Sequence, residues 1–351
     1  MSHKYTTLFL FLLAGSLVLF PGVARGQGQA KPKPQPKAAE QEPQEKYTEE
    51  EYDAMVAVTK EPDLDKRATM IFEFKDKYPK SELMSYVDQA YQSLVYELSK
   101  NQKWDKVEPL AEQWQKTHPN DLQTIAYIAE SARNLGQDQK FIEYGEKVYQ
   151  EKPTGEYAEA IAQSYKKMGN DPKYLEWTEK LFAYPEYDGA FGLRWLFVDK
   201  YMKEKKLDKA AQYAQLALKS LDVAKKPEST PDAKWKEDVT AVRRGCYFTI
   251  GLNYYEREKW DQAIKSIQQA LKVERFAAGY YYIGLCQWKL DQVEDAILSF
   301  AKAETLKGEV APQAKEHLEK LYKALHNNTT IGIDKVYDKA KKELGISPSK
   351  E

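Results

Sequence analysis

The chain has 351 residues, 53 Lys and Arg against 54 Asp and Glu, and 42% hydrophobic residues. That apolar fraction is enough to build cores, and the near-balance of charge argues against a nucleic-acid binder, which needs a basic surface to neutralise phosphates. Two Cys and four scattered His exclude a disulfide framework and a Cys-based zinc site, so no metal or other cofactor is expected.

The first element is an address. Lys4 precedes the unbroken apolar stretch 8–20, Pro21-Gly22 breaks it, and Ala24-Arg25-Gly26 offers small residues at the −3 and −1 positions of a cleavage site. This order is that of a secretory signal peptide over residues 1–26. Thirteen helical residues rise only about 20 Å, short of a roughly 30 Å hydrocarbon core, which favours cleavage over retention as an anchor. Cleavage removes Lys4 and Arg25 and no acid, taking the formal charge from −1 to −3. Nothing later is apolar for long enough to span a membrane. A bacterial source is assumed in expecting the periplasm or the extracellular space. Residues 27–46 (QGQAKPKPQPKAAEQEPQEK) hold no large apolar residue. They are expected to form a disordered Pro/Gln/Lys-rich linker, with 345–351 as a short tail.

From Tyr47 the apolar residues recur at three- and four-residue spacing, as in Ala210, Tyr213, Ala214, Ala217, Leu218 and Leu221. That spacing is one face of an α-helix. Pro79, Pro119, Pro153 and Pro185 interrupt the pattern every 32 to 40 residues. A two-helix unit near that length signals a solenoid. The unit is clearest late in the chain. From Gly251, Tyr254 lies at +3, Ala263 at +12, Ile267 at +16 and Ala270 at +19; from Gly284, Ala296, Phe300 and Ala303 repeat the last three positions. Val198 sets the same frame with Tyr201, Ala210, Ala214 and Ala217, and Ala129 and Ala162 set weaker ones.

These stretches, GLNYYEREKWDQAIKSIQQAL and GLCQWKLDQVEDAILSFAKAE, resemble the tetratricopeptide repeat (TPR) family. The resemblance implies an all-α, right-handed solenoid of about eight helix–turn–helix pairs over residues 47–344. Its clearest repeats are 244–273 and 277–306, and a terminal cap covers about 310–344. Gln287 at +3, and Phe141 and Tyr174 at +12, depart from the family pattern, so looser or differently angled packing is expected there. Eighteen residues from Asp222 to Val239 interrupt the frame. A loop followed by a long helix from about Pro231 to Glu258 would absorb them.

Catalytic signatures are missing: there is no phosphate-binding glycine loop, no nucleophile elbow and no H-E-x-x-H. His317 reads as a surface or packing residue. Cys246 and Cys286 sit at different heights in the repeat frame, about 10 Å apart along the axis. They are therefore expected to stay unpaired and buried. By resemblance, the first helices line a concave groove holding Trp195, Phe248, Leu252, Tyr255, Tyr281, Leu285 and Trp288. The Lys and Asn residues that grip a carboxylate in the family are absent from these positions. A non-enzymatic scaffold of the cell envelope is expected, holding a segment of a protein or peptide partner on aromatic anchors. An architectural subunit of a self-associating or multi-protein envelope complex is the alternative.

Overall fold

The computed structural model describes residues 47–346. The leader, the linker and the last five residues lie outside them. Sixteen α-helices and no strands occur among the described residues, so the chain is an all-α solenoid. They are α1 Glu49–Lys60, α2 Leu64–Lys77, α3 Met84–Lys100, α4 Trp104–Gln115, α5 Leu122–Asn134, α6 Asp138–Glu151, α7 Gly155–Lys167 and α8 Asp171–Lys180. After two 3-10 turns, Leu181–Ala183 and Pro185–Tyr187, follow α9 Phe191–Lys203, α10 Leu207–Val223, α11 Asp232–Glu256, α12 Trp260–Val273, α13 Ala277–Lys289, α14 Val293–Leu306, α15 Ala311–Leu325 and α16 Ile333–Leu344.

Local chemistry starts the array. The Thr48 hydroxyl oxygen accepts from the Glu51 amide at 3.2 Å, and the Glu51 carboxylate accepts from the Thr48 amide at 2.7 Å, a capping box ahead of α1. Asp63, Asp121, Thr154 and Asn170 cap α2, α5, α7 and α8 in the same side-chain-to-amide manner.

The turn inside each of six successive pairs is built alike. Gln102, Gly136, Gly169, Lys205, Glu258 and Asp291 have φ between 55° and 73°. The next amide in each case bonds back five residues: Lys103 to Leu98, Gln137 to Ala132, Asn170 to Tyr165, Lys206 to Tyr201, Lys259 to Tyr254 and Gln292 to Gln287. This is a Schellman-type stop that satisfies otherwise unpaired helix carbonyls. The six turns stand 34, 33, 36, 53 and 33 residues apart. That is the structural period, and the interval of 53 contains the interruption after Asp222.

Pairs lock through the small residue of the repeat frame. A Cβ on Gly251 would lie 2.5 Å from Ile267 Cγ1, and one on Gly284 would lie 2.8 Å from Phe300 Cε1. Each glycine therefore admits the large residue at +16 of the partner helix. Helix α6 accommodates its own departure from the frame. Phe141, buried at +12, is met by Gly145 at +16, whose added Cβ would stand 3.3 Å from the Phe141 ring. The glycine one turn along the same helix leaves room for the Phe141 ring, which is fully buried.

The interruption becomes structure too. Helix α11 begins at Asp232, and Trp235 on its first turn meets the Phe191 ring edge-on at 5.3 Å. The loop before it closes on Gly189, whose added Cβ would be 3.1 Å from the Ala224 Cα. At the far end α16 turns back onto α14. Lys302 pairs with Glu343 at 2.5 Å, the Arg275 guanidinium donates to the Leu344 carbonyl, and the Tyr337 hydroxyl donates to Glu304. The core runs as successive clusters along the chain rather than as one centre.

Candidate aromatic binding face

Seven-residue spacing puts Phe248 and Tyr255 on one face of α11, two turns apart, with Leu252 between them. Tyr281, Leu285 and Trp288 share a face of α13 in the same way. All six are half-buried. Tyr282 joins the two sets: its ring meets Phe248 at 5.7 Å, Tyr255 at 5.2 Å and Tyr281 at 5.6 Å, each edge-on. Tyr255 also meets Trp260 at 5.2 Å, and Phe248 meets Phe276 at 5.1 Å.

His317 on α15 extends the seam. Its ring stacks with Tyr281 at 5.9 Å and tilts against Trp288 at 5.5 Å, and its Nε2 is 3.3 Å from the Tyr281 hydroxyl. The Lys320 ammonium stands 5.5 Å from the Trp288 ring, close enough for a cation–π contact. The result is a ladder of rings that runs from α11 across α13 to α15. Each rung touches the next repeat while keeping part of its surface in water.

Trp195 stands apart from this ladder. It packs with the α9–α11 cluster, and its ring occupies the space that a side chain at position 245 would need. A Cβ on Gly245 would come within 2.3 Å of Trp195 Cη2. Trp195 is thus a wedge between α9 and α11.

Two residues of the seam were absent from the sequence expectation. Tyr282 had a signal in the run Tyr280-Tyr281-Tyr282, where only the middle residue was chosen. His317 lies 33 residues after Gly284, itself 33 after Gly251. It therefore stands where the repeat frame places a small residue. A ring at that position reaches back to Tyr281, Trp288 and Phe300 of the preceding unit.

Burial sets the electrostatics. It pushes the hydroxyls of Tyr255, Tyr281 and Tyr282 above the usual phenol range, so these three rings stay neutral through physiological pH. Glu256 and Lys289 are exposed on the same two helices. The first helices nearer the N-terminus differ. There Arg133 lies 3.7 Å from Glu130 and 3.2 Å from Glu156, and burial raises the Glu130 carboxyl. A seam of aromatic rings with a charged border suits an apolar side chain entering from a partner. Among the described residues no three His, Cys, Asp or Glu side chains are grouped to hold a metal ion. No helix among them is long and apolar enough to cross a membrane.

Comparison with known proteins gives one family. Residues 248–311, which carry the α11–α14 part of the seam, match the model for the tetratricopeptide repeat. No curated protein matches the chain. Among solved structures, the MamA protein is 17% identical over 58% of this chain and 94% of its own, with a TM-score of 0.32. A tetratricopeptide repeat protein from Parabacteroides merdae is 16% identical over 78% of this chain and 97% of its own, with a TM-score of 0.30. BtubC from P. vanneervenii is 18% identical over 62% and 93%, with a TM-score of 0.36.

Proposed function

We propose that this chain, whose residues 248–311 match the tetratricopeptide repeat model, is a non-enzymatic scaffold of the cell envelope. Its proposed binding face for a protein partner is the seam of α11, α13 and α15. The observation that carries this reading is the ladder of Phe248, Tyr255, Tyr282, Tyr281, His317 and Trp288. Rings held by their neighbours lose little conformational freedom on binding, and aromatic anchors dominate interface energetics. Leu252 and Leu285 supply the apolar ground between them. The leader at 8–20 and the small residues at 24 and 26 support export.

Capture from an envelope extract tests the face. The Tyr281→Ala, Trp288→Ala double variant should bind the captured partner at least about tenfold more weakly. Both rings also pack on His317, so a thermal melt must accompany that variant. Leu252→Lys removes no ring from the ladder and places a charge in the seam; it should also abolish capture. Full capture by both variants would overturn the assignment. N-terminal sequencing of the envelope-fraction protein should begin at residue 27.

A further inference from the structure

A second aromatic surface lies on the second helices, away from the seam. A cleft of about 380 Å³ opens between the end of α6, the loop after it and α8. Tyr149 and Trp177 form its ring surface, with centroids 4.9 Å apart and planes at 75°. Pro153 is exposed on one side, and Glu146, whose carboxylate accepts from the Tyr165 hydroxyl at 2.8 Å, stands on another. Trp177 is only 5% exposed, yet its indole Nε1 has no hydrogen-bond partner. A buried donor left unpaired is costly and calls for an acceptor. The Lys180 ammonium lies 5.0 Å from the Trp177 ring and 5.8 Å from Tyr149. Lys180 also lines the cleft.

Crossed aromatic rings and a free indole N–H are what a proline-rich strand requires. Pyrrolidine rings seat between aromatic planes, and a polyproline backbone makes no internal hydrogen bonds, so its carbonyls are free to accept. This chain carries such a stretch, Lys31-Pro32-Lys33-Pro34-Gln35-Pro36, eleven residues before Tyr47 at its nearer end.

The fold places the cleft on the edge from which that stretch departs. Helix α1 starts where α2 ends, as the Lys77–Glu50 pair at 2.7 Å shows. The ends of the second helices then touch in turn along this edge. Lys75 of α2 reaches Thr117 and, at 3.4 Å, His118 beyond α4, and Tyr144 of α6 donates to Gln115 of α4 at 3.2 Å. Two helix steps of about 10 Å make this path roughly 20 Å. Eleven residues of polyproline helix reach about 34 Å. We propose that residues 31–36 dock in the Tyr149–Trp177 cleft of their own chain, forming an intramolecular strap across α2, α4 and α6.

Disulfide trapping in the full exported chain tests the strap without touching the seam. Gln150 borders the cleft, and Lys116 is exposed on the same edge nearer to Tyr47. Native Cys246 and Cys286 are buried and stay out of the reaction. With Gln35→Cys in place, a strap links to Gln150→Cys roughly tenfold faster than to Lys116→Cys, because docking raises the local concentration at one site only. Replacing Pro32, Pro34 and Pro36 by Ala should remove that advantage. A merely tethered segment would link to position 116 at least as fast and ignore the prolines, which would overturn the proposal. Linkage found only between chains would overturn it too, making a second copy the occupant.

Discussion

At Gly251 the absence of a side chain is what lets Ile267 reach the first helix, and at Gly284 it does the same for Phe300. Gly251→Ala should therefore lower stability by about 1–2 kcal/mol despite the better helix propensity of Ala, because the overlap falls on a buried branch that cannot retreat. Gly192, in α9 with nothing within 4 Å of an added Cβ, is the control. Gly192→Ala should gain up to about 1 kcal/mol in the same urea titration. The cysteines obey burial in a similar way. Both are free and buried, and burial pushes each thiol up from 9.0 to about 12. The folded state thus holds its protons to higher pH than the unfolded state. This contribution to stability is complete below about pH 9 and is lost as pH rises towards about 12. A thiol reagent should find no reactive Cys in the native protein and two in the denatured, unreduced one. The fall in urea midpoint between pH 8.5 and 10.5 should shrink in the Cys246→Ala, Cys286→Ala variant.

At the scale of the element, the repeating feature is the turn. Four of its six left-handed positions are Gln102, Lys205, Glu258 and Asp291 rather than glycine. Each of these tolerates a conformation that costs an L-residue about 1–2 kcal/mol. Lys205→Gly should therefore stabilise by roughly 0.5 kcal/mol after the entropy of the freer unfolded chain is deducted, and Gly136→Ala should cost about 1 kcal/mol. Chemical denaturation of the two variants checks both signs. These turns also explain why proline spacing in the sequence was irregular. The prolines sit between pairs, where connections vary, and the conserved geometry lies within pairs, where residue type is loosely constrained. The long α11 is a related case. Its extra turns were legible as a helix, but their purpose, covering the start of α9 through Trp235, depends on a contact 44 residues back in the chain.

Across the whole molecule, successive clusters support one another only through neighbours, so the ends are the weak points. Helix α1 contributes only Met55 and Val58 to the buried core, and α16 only Ala340 and Leu344. Hydrogen exchange should open α1 and α16 first and the α11–α14 block last. The two ring systems divide the surface between them. The seam on α11, α13 and α15 faces a partner in the proposed function, and the Tyr149–Trp177 cleft is the proposed dock for residues 31–36 of the same chain.

The sequence by itself determined the helical class, the repeat length and the locking pairs Gly251/Ile267 and Gly284/Phe300. Periodicity and small-to-large complementarity are written in residue types at fixed offsets. Seven-residue spacing likewise put Phe248 with Tyr255 on one face of α11 and Tyr281 with Trp288 on one face of α13. Tertiary structure alone decided that Trp195 wedges against Gly245, that Gly145 compensates Phe141, and that Tyr282 and His317 complete the seam. Those outcomes depend on the distance between helices and on which way a ring turns at their junction. A one-dimensional pattern records neither, since the same aromatic at the same offset can face solvent or fill a neighbour's empty Cβ position.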